Sequence, residues 1–339
     1  MTVKVGILGL GFMGNGHFNA YKTFNDVQVT ALCDIDPARL QADAAVAGNI
    51  ATGAAPKDLS GVRTYLDAKL LLADPDVEVV DITLPTYLHA EWTIRALRAG
   101  KHVICEKPMA ISSTEAKQMA AAAKKARRKL FIGQCIRLWP AYVVARDIIR
   151  SREHGKVRSA VFTRISPRPT WSWQGWLHDH RKSGSAALDL HIHDADYIFY
   201  LFGAPKSVFS RGSGSARKGF DHIVTTYDYG KSSLIVAEGG WDYPSGFPFS
   251  MTFRVTMEKA TLSLAADGSL TLYGEDNAAA VVSVPEGDGY RHELRHFIDC
   301  IANNRASTIV TPKSAMRSVQ LVEAEIRSAA AGKPVKVKF

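Results

Sequence analysis

The chain has 339 residues, 46% of them hydrophobic and 22% charged, which excludes a fibrous, coiled-coil or disordered protein; at roughly 100–200 residues per domain it holds two. Its net charge is +9, but the one dense basic run, at 124–129, closes an Ala-rich helical pattern where cations complement the helix dipole, so an anionic cofactor or substrate is expected rather than nucleic acid. No apolar run approaches the roughly 18–20 residues of a membrane span, and the N-terminus enters a strand pattern at once, so no signal peptide, no membrane and a cytoplasmic location are expected.

Strand patterns occur at 3–9, 27–34, 77–83 and 102–106, short and rich in Val and Ile, as in a parallel sheet buried on both faces. Between them Asp36-Pro37 reads as N-cap and first helical position, and Gly100 closes the helix pattern that ends at 94–99. Ser112 to Glu115 is a capping box opening a helix over 115–128. Residues 1–125 are thus expected as a doubly wound α/β domain of Rossmann type.

The pattern then changes. One more strand is expected at 130–137, a helix at 141–151, a strand at 157–165 and a helix at 186–201 closed by Gly203. From 206 to 284, strands follow one another across short turns, such as Gly230-Lys231 between 223–229 and 233–238, and two helices finish at about 293–303 and 312–330. Residues 126–339 therefore read as an α+β domain with an open, mostly antiparallel sheet. The four cysteines, Cys33, Cys105, Cys135 and Cys300, form no CxxC and sit in or beside apolar runs, as buried free thiols do.

Gly9-Leu10-Gly11-Phe12-Met13-Gly14 is GxGxxG between a strand and a helix, and Asp34 ends the next strand 20 residues after Gly14. The glycines allow a tight turn, close approach of pyrophosphate and close helix packing, while helix N-terminal amides meet the phosphate charge. Asp34 suits ribose hydroxyls and repels a 2′-phosphate, which favours NAD. Ile35 follows it rather than Arg or Ser, while Arg39 lies within reach of a phosphate and leaves NADP open. Ligands bind at the carboxyl ends of the strands, so Thr83, Pro85 and His89 on one loop, and Glu106 and Lys107 on another, are expected at the cofactor. His89 reads equally well as a packing residue.

Lys107, ending a buried strand where nicotinamide should lie, has little structural reason to be there. Asp189 and His193 stand four apart in the expected helix and share a face; Asp196 is placed to orient the His193 imidazole, and His191 points elsewhere. Oxidising a hydroxyl carbon requires its proton to leave, which suits a histidine base beside a lysine cation that steadies the alkoxide. The His178/His180 and His191/His193 pairs suggest metal, but helical HxH side chains diverge by about 200°, and no metal is expected.

These motifs, with Cys33-Asp34, Thr83-Leu84-Pro85, Glu106-Lys107-Pro108 and Asp189-x-x-x-His193-x-x-Asp196, resemble the Gfo/Idh/MocA family over nearly the whole chain. The resemblance implies NAD(P)-dependent hydride transfer to or from sugars, cyclitols and related polyols. It implies an open-sheet domain that mediates dimers or tetramers, Lys107 as the catalytic lysine, His193 as the catalytic histidine and Asp189 as a substrate-binding aspartate. Ser183-Gly184-Ser185 departs from the family's glycine run, and His191 stands where a small residue is common and is expected to add a polar group to the site floor. The loop at 169–179, with Trp171, Trp173 and Trp176, reads either as a pocket wall or as a cap on the sheet. Arg137 and Trp139 are expected to touch substrate, and Arg137, Arg164, Arg168 and Lys182 leave room for an acidic or phosphorylated one. Two other readings stand beside the dehydrogenase: a non-catalytic NAD(P)-binding regulator, and an oxidoreductase or hydrolase with a resident cofactor.

Overall fold

Runs rich in Val, Ile and Leu, such as β1 (Val3–Leu8), in which every position but Lys4 is buried, bury both faces of a strand and so need helices on each side. The computed structural model, which describes residues 2–44, 47–48, 57–215, 217–230, 233–275, 277 and 279–339, shows that arrangement. After β1 come α1 (Phe12–Tyr21), β2 (Val27–Cys33), β3 (Arg63–Tyr65), α2 (Ala68–Ala73), β4 (Val79–Ile82), α3 (His89–Arg98), β5 (His102–Glu106), α4 (Ser113–Ala126) and β6 (Leu130–Gly133). The six strands pair in the order β3-β2-β1-β4-β5-β6, all parallel. The order reverses between β1 and β4, the switch point at which such sheets bind nucleotides. Ser112 caps α4 by accepting the Glu115 N–H at 3.2 Å, as the capping box requires. Asp36 caps only a 3₁₀ turn at Pro37–Leu40.

The chain divides into two units. The first comprises Met1–Cys135, Trp171–Trp176 and Tyr290–Met316; the second comprises Ile136–Thr170, Leu177–Gly289 and Arg317–Phe339. The division expected after 125 falls inside α4 and ahead of β6, the sixth strand of the sheet. The expected strand at 130–137 stops at Gly133, and its remainder is a 3₁₀ turn over Cys135–Leu138.

The second unit contains α5 (Pro140–Ser151), β7 (Val157–Pro167), α6 (His180–Ser183), α7 (Ser185–Asp189) and α8 (Ile192–Phe202). Its further strands are β8 (Ser207–Ser215), β9 (Gly219–Asp228), β10 (Leu234–Tyr243), β11 (Ser250–Met257), β12 (Ala260–Leu264), β13 (Leu270–Gly274) and β14 (Ala279–Val281). The chain closes with α9 (Gly289–Ala302), which belongs almost wholly to the first unit, α10 (Pro312–Ala331) and β15 (Val335–Lys336). The sheet runs β14-β13-β12-β11-β7-β10-β9-β8-β15 and is antiparallel except for the parallel β7–β10 pair. Gly230 makes the expected turn after β9 with φ +69°, and Lys231 lies outside the described residues. Ala187 of α7, with Phe220 and Ile223 of β9, forms a buried cluster against which Ile326 and Ala329 of α10 pack. All four cysteines are buried free thiols, and burial pushes Cys33 up to about 12. Among the described residues, no helix is long and apolar enough to cross a membrane.

Candidate functional site

The glycine-rich turn between β1 and α1 is built so that side chains cannot occupy it. Gly9 has φ +100°, where L residues are strained. A Cβ on Gly14 would lie 2.0 Å from the Gly9 carbonyl oxygen, so α1 approaches β1 only with glycine there. A Cβ on Gly11 would meet only the Arg39 guanidinium, at 3.3 Å. The cradle thus offers backbone and a helix N-terminus, with Phe12 and Met13 in its first turn, and fits the pyrophosphate of a dinucleotide. Asp34 is buried and holds the turn: its carboxylate accepts the Leu10 N–H at 2.6 Å and the Asp36 N–H at 2.9 Å. Thr83 donates to the Gly9 carbonyl at 2.6 Å, strapping the turn to the end of β4. Ile35 is 71% exposed beside this edge, and Pro85 precedes the 3₁₀ turn Thr86–Leu88.

His89, expected at the cofactor, is instead buried, with Nδ1 2.7 Å from the Pro108 carbonyl and Nε2 2.8 Å from the Leu84 carbonyl. Burial lowers its pKa, and the ring staples the two loops that follow β4 and β5. Glu106 is buried at the end of β5 and accepts the Lys107 N–H at 2.9 Å, while the Lys107 residue is half-buried.

In the second unit the expected single helix is two. Asp189 ends α7, and His193 lies in the first turn of α8. His191 N–H reaches back five residues to the Ala186 carbonyl at 2.8 Å, and His193 N–H only three, to Leu190 at 3.3 Å. A widened turn followed by a tightened one shifts the helical register, so Asp189 and His193 do not share one regular helix face; such bulges recur at functional sites.

That turn is braced on three sides. Asp194 takes a two-pronged bond from Arg164 of β7, at 2.8 and 3.2 Å. Asp196, expected to orient His193, instead receives Arg137 at 2.8 and 2.6 Å and the Ser318 hydroxyl at 2.5 Å. His191 is fully buried, with Nε2 2.8 Å from Glu325 of α10, and a Cβ at Gly239 of β10 would lie 2.6 Å from its own Cβ. His191 therefore faces the core and not a site floor. Arg137 and Arg164 are likewise spent on buried ion pairs, at 2% exposure each, which corrects their expected role toward substrate. His193, between these anchors, is 7% exposed.

Trp139 is half-buried and caps α5, whereas Trp173 and Trp176, also half-buried, group with the first unit. Between those two tryptophans the chain kinks through Gln174 at φ 49° and Gly175 at φ 65°.

Three polar residues of the first unit gave no motif signal. Asn15 donates to the Leu10 and Gly11 carbonyls at 2.8 Å, and the buried Lys57 ammonium donates to Asn15 at 2.8 Å. Burial lowers the Lys57 pKa. His17 lies between Asp81 and Glu106. Asn15 and His17 stand one and three residues past Gly14, a spacing that could have marked them as supports of the turn; nothing local marks Lys57.

Residues 3–134 match the oxidoreductase family described as having an NAD-binding Rossmann fold, and residues 142–263 match the C-terminal domain of the same GFO/IDH/MocA family. The chain is 26% identical to D-apiose dehydrogenase of Paraburkholderia graminis, over 99% of this chain and 90% of that one. It is 36% identical to inositol 2-dehydrogenase of Salmonella typhimurium over 46% of this chain and 44% of that one. A levoglucosan dehydrogenase solved with NADH and levoglucosan superposes with a TM-score of 0.85 over the whole of both chains at 23% identity, which shows the shared fold. With the dinucleotide cradle and both domains matched, the chain belongs to the Gfo/Idh/MocA family of NAD-binding oxidoreductases.

Proposed function

We propose that this oxidoreductase moves a hydride between nicotinamide and a carbinol or carbonyl carbon of a sugar, cyclitol or related polyol. The observation that carries the reading is that one chain holds both a dinucleotide cradle in its first unit and, in its second, a histidine on a braced, irregular helical turn. The names of the relatives, dehydrogenases of apiose and inositol, supply the substrate class. When bound, nicotinamide supplies or accepts the hydride at its C4 position. His193 takes the hydroxyl proton in oxidation and returns it in reduction. Lys107 stabilises the oxyanion as that proton leaves, and Asp189 accepts a bond from a neighbouring hydroxyl. A positioned general base contributes roughly 10²–10⁴-fold in rate. Trp139, Trp173 and Trp176 offer aromatic faces for the C–H face of a sugar.

The test is formation of reduced nicotinamide by purified protein given NAD or NADP with panels of sugars, cyclitols, sugar acids and sugar phosphates. Turnover with one substrate class and preference for NAD are expected. NADH binding without turnover across the panel would overturn the reading in favour of a regulator. We further propose a cytoplasmic homodimer or homotetramer, with a second copy covering the sheet face that exposes Phe209, Val224 and Leu234. Light scattering tests this, and a monomer contradicts it.

A further inference from the structure

The first unit buries a row of polar side chains that ends at the backbone of Lys107. His17 on α1 is 1% exposed; its Nδ1 lies 2.8 Å from Asp81 of β4 and its Nε2 3.1 Å from Glu106 of β5. The Tyr21 hydroxyl donates to the same Asp81 oxygen at 2.9 Å. Glu293 of α9 is also fully buried, and it, His17 and Glu106 bring one side-chain atom each within 4.8 Å of one another. Glu106 spends its other oxygen on the Lys107 N–H at 2.9 Å. A Cβ at Gly133 of β6 would come 3.1 Å from Glu106 Oε1, so glycine on the neighbouring strand leaves the carboxylate its place.

Both ring nitrogens of His17 face carboxylate oxygens: Nδ1 is hydrogen-bonded to Asp81, whereas Nε2 meets Glu106 as an ion-pair contact at 3.1 Å, and only the imidazolium presents an N–H to each. Burial alone favours the neutral ring, but Asp81 and Glu106 overcome it and hold the His17 pKa well above its ordinary value. The same pairing holds Glu106 below its ordinary value against the opposite pull of burial. Asp81, Glu106 and Glu293 are three carboxylates around one cation, and among the described residues Tyr21, His89, Cys105 and Lys107 are further titratable groups that feel them. Without that cation, buried like charges repel, and a carboxylate must take up a proton or turn away.

We propose that His17 is a positioning residue for Lys107: as counter-ion to Glu106 it fixes the carboxylate that holds the Lys107 backbone. The inference rests on the reading of Lys107 as the oxyanion-stabilising group. A misplacement of about 1 Å at a reacting group costs up to about 10²-fold. His17→Gln is therefore expected to lower kcat by roughly 10–100-fold, with substrate KM and NADH Kd within about threefold of wild type.

The second variant is His17→Gln combined with Glu106→Gln. It removes the uncompensated charge but keeps a carbonyl oxygen for the Lys107 N–H, and it is expected to turn over at least about fivefold faster than His17→Gln. Wild-type kcat in His17→Gln overturns the proposal. So does a double variant slower than the single, or a parallel loss of NADH affinity, thermal stability and kcat, which would mark a purely structural role. Lys107→Ala is run alongside: if it retains turnover, the reading of Lys107 fails, and that failure is separate from the behaviour of His17→Gln.

Discussion

Replacing Arg137 with Met separates its two readings. In the structure its guanidinium makes a two-pronged bond to Asp196, stacks 4.8 Å from the Tyr200 ring centroid and is 2% exposed. Met fills similar volume but leaves the Asp196 carboxylate buried, with the Ser318 hydroxyl donating to it and no cation in Arg137's place. Breaking a buried ion pair from one side costs about 3–5 kcal/mol, since the surviving charge loses its partner. At roughly 2–4 °C per kcal/mol for a unit of this size, Tm should fall by about 6–20 °C. Removing both charges, as Arg137→Met with Asp196→Leu, should restore most of that loss. The assay is thermal unfolding followed by circular dichroism, alongside steady-state kinetics. A Tm within about 3 °C of wild type, combined with a tenfold rise in substrate KM, would refute the brace and reinstate Arg137 as a substrate ligand.

Gly14→Ala places a Cβ 2.0 Å from the Gly9 carbonyl and is expected to weaken NADH binding at least tenfold, as read by fluorescence titration; unchanged affinity would show that the turn is not the cradle. Asp34→Ala removes the acceptor for the Leu10 N–H and is expected to weaken NAD and NADP alike; a clean switch to NADP would reduce Asp34 to a discriminator of the 2′-phosphate. His102 accepts the Lys129 N–H through Nδ1 and is pushed down to about 4, by burial first and then by the Arg128 and Lys129 charges. Its folded-state pKa lies below the unfolded value of about 6.5, so stability is lost as pH falls from about 6.5 towards 4, by roughly 1–2 kcal/mol after allowing for its partial exposure. His102→Gln should flatten the denaturation midpoint over that window, and an unchanged slope would contradict the assignment.

The elements that periodicity and punctuation report were legible in the sequence. The parallel strands, the glycine turn and the Ser112 cap all depend on neighbours within a few residues. What was not legible depends on distant partners. Arg137 and Asp196 are 59 residues apart, and His17 and Asp81 are 64 apart, so nothing local tells a buried brace from a ligand. The break between α7 and α8 is invisible for another reason: a widened turn keeps the apolar pattern of 186–201 while shifting which side chains align. The division into units departs from the expected one after 125 because β6 adds a sixth strand beyond it and α9 returns to the first unit, and no composition shift marks either. His89 read two ways from sequence, and only its two carbonyl partners show it to be a staple.

The account turns on His193 as the group that exchanges the substrate's proton. His193→Ala should therefore be assayed for kcat with the best substrate of the panel, with NADH affinity measured on the same preparation. A fall in kcat of roughly 10²–10⁴-fold with NADH Kd within about threefold of wild type is the predicted result. Near-normal turnover would contradict the account and transfer the proton to another group.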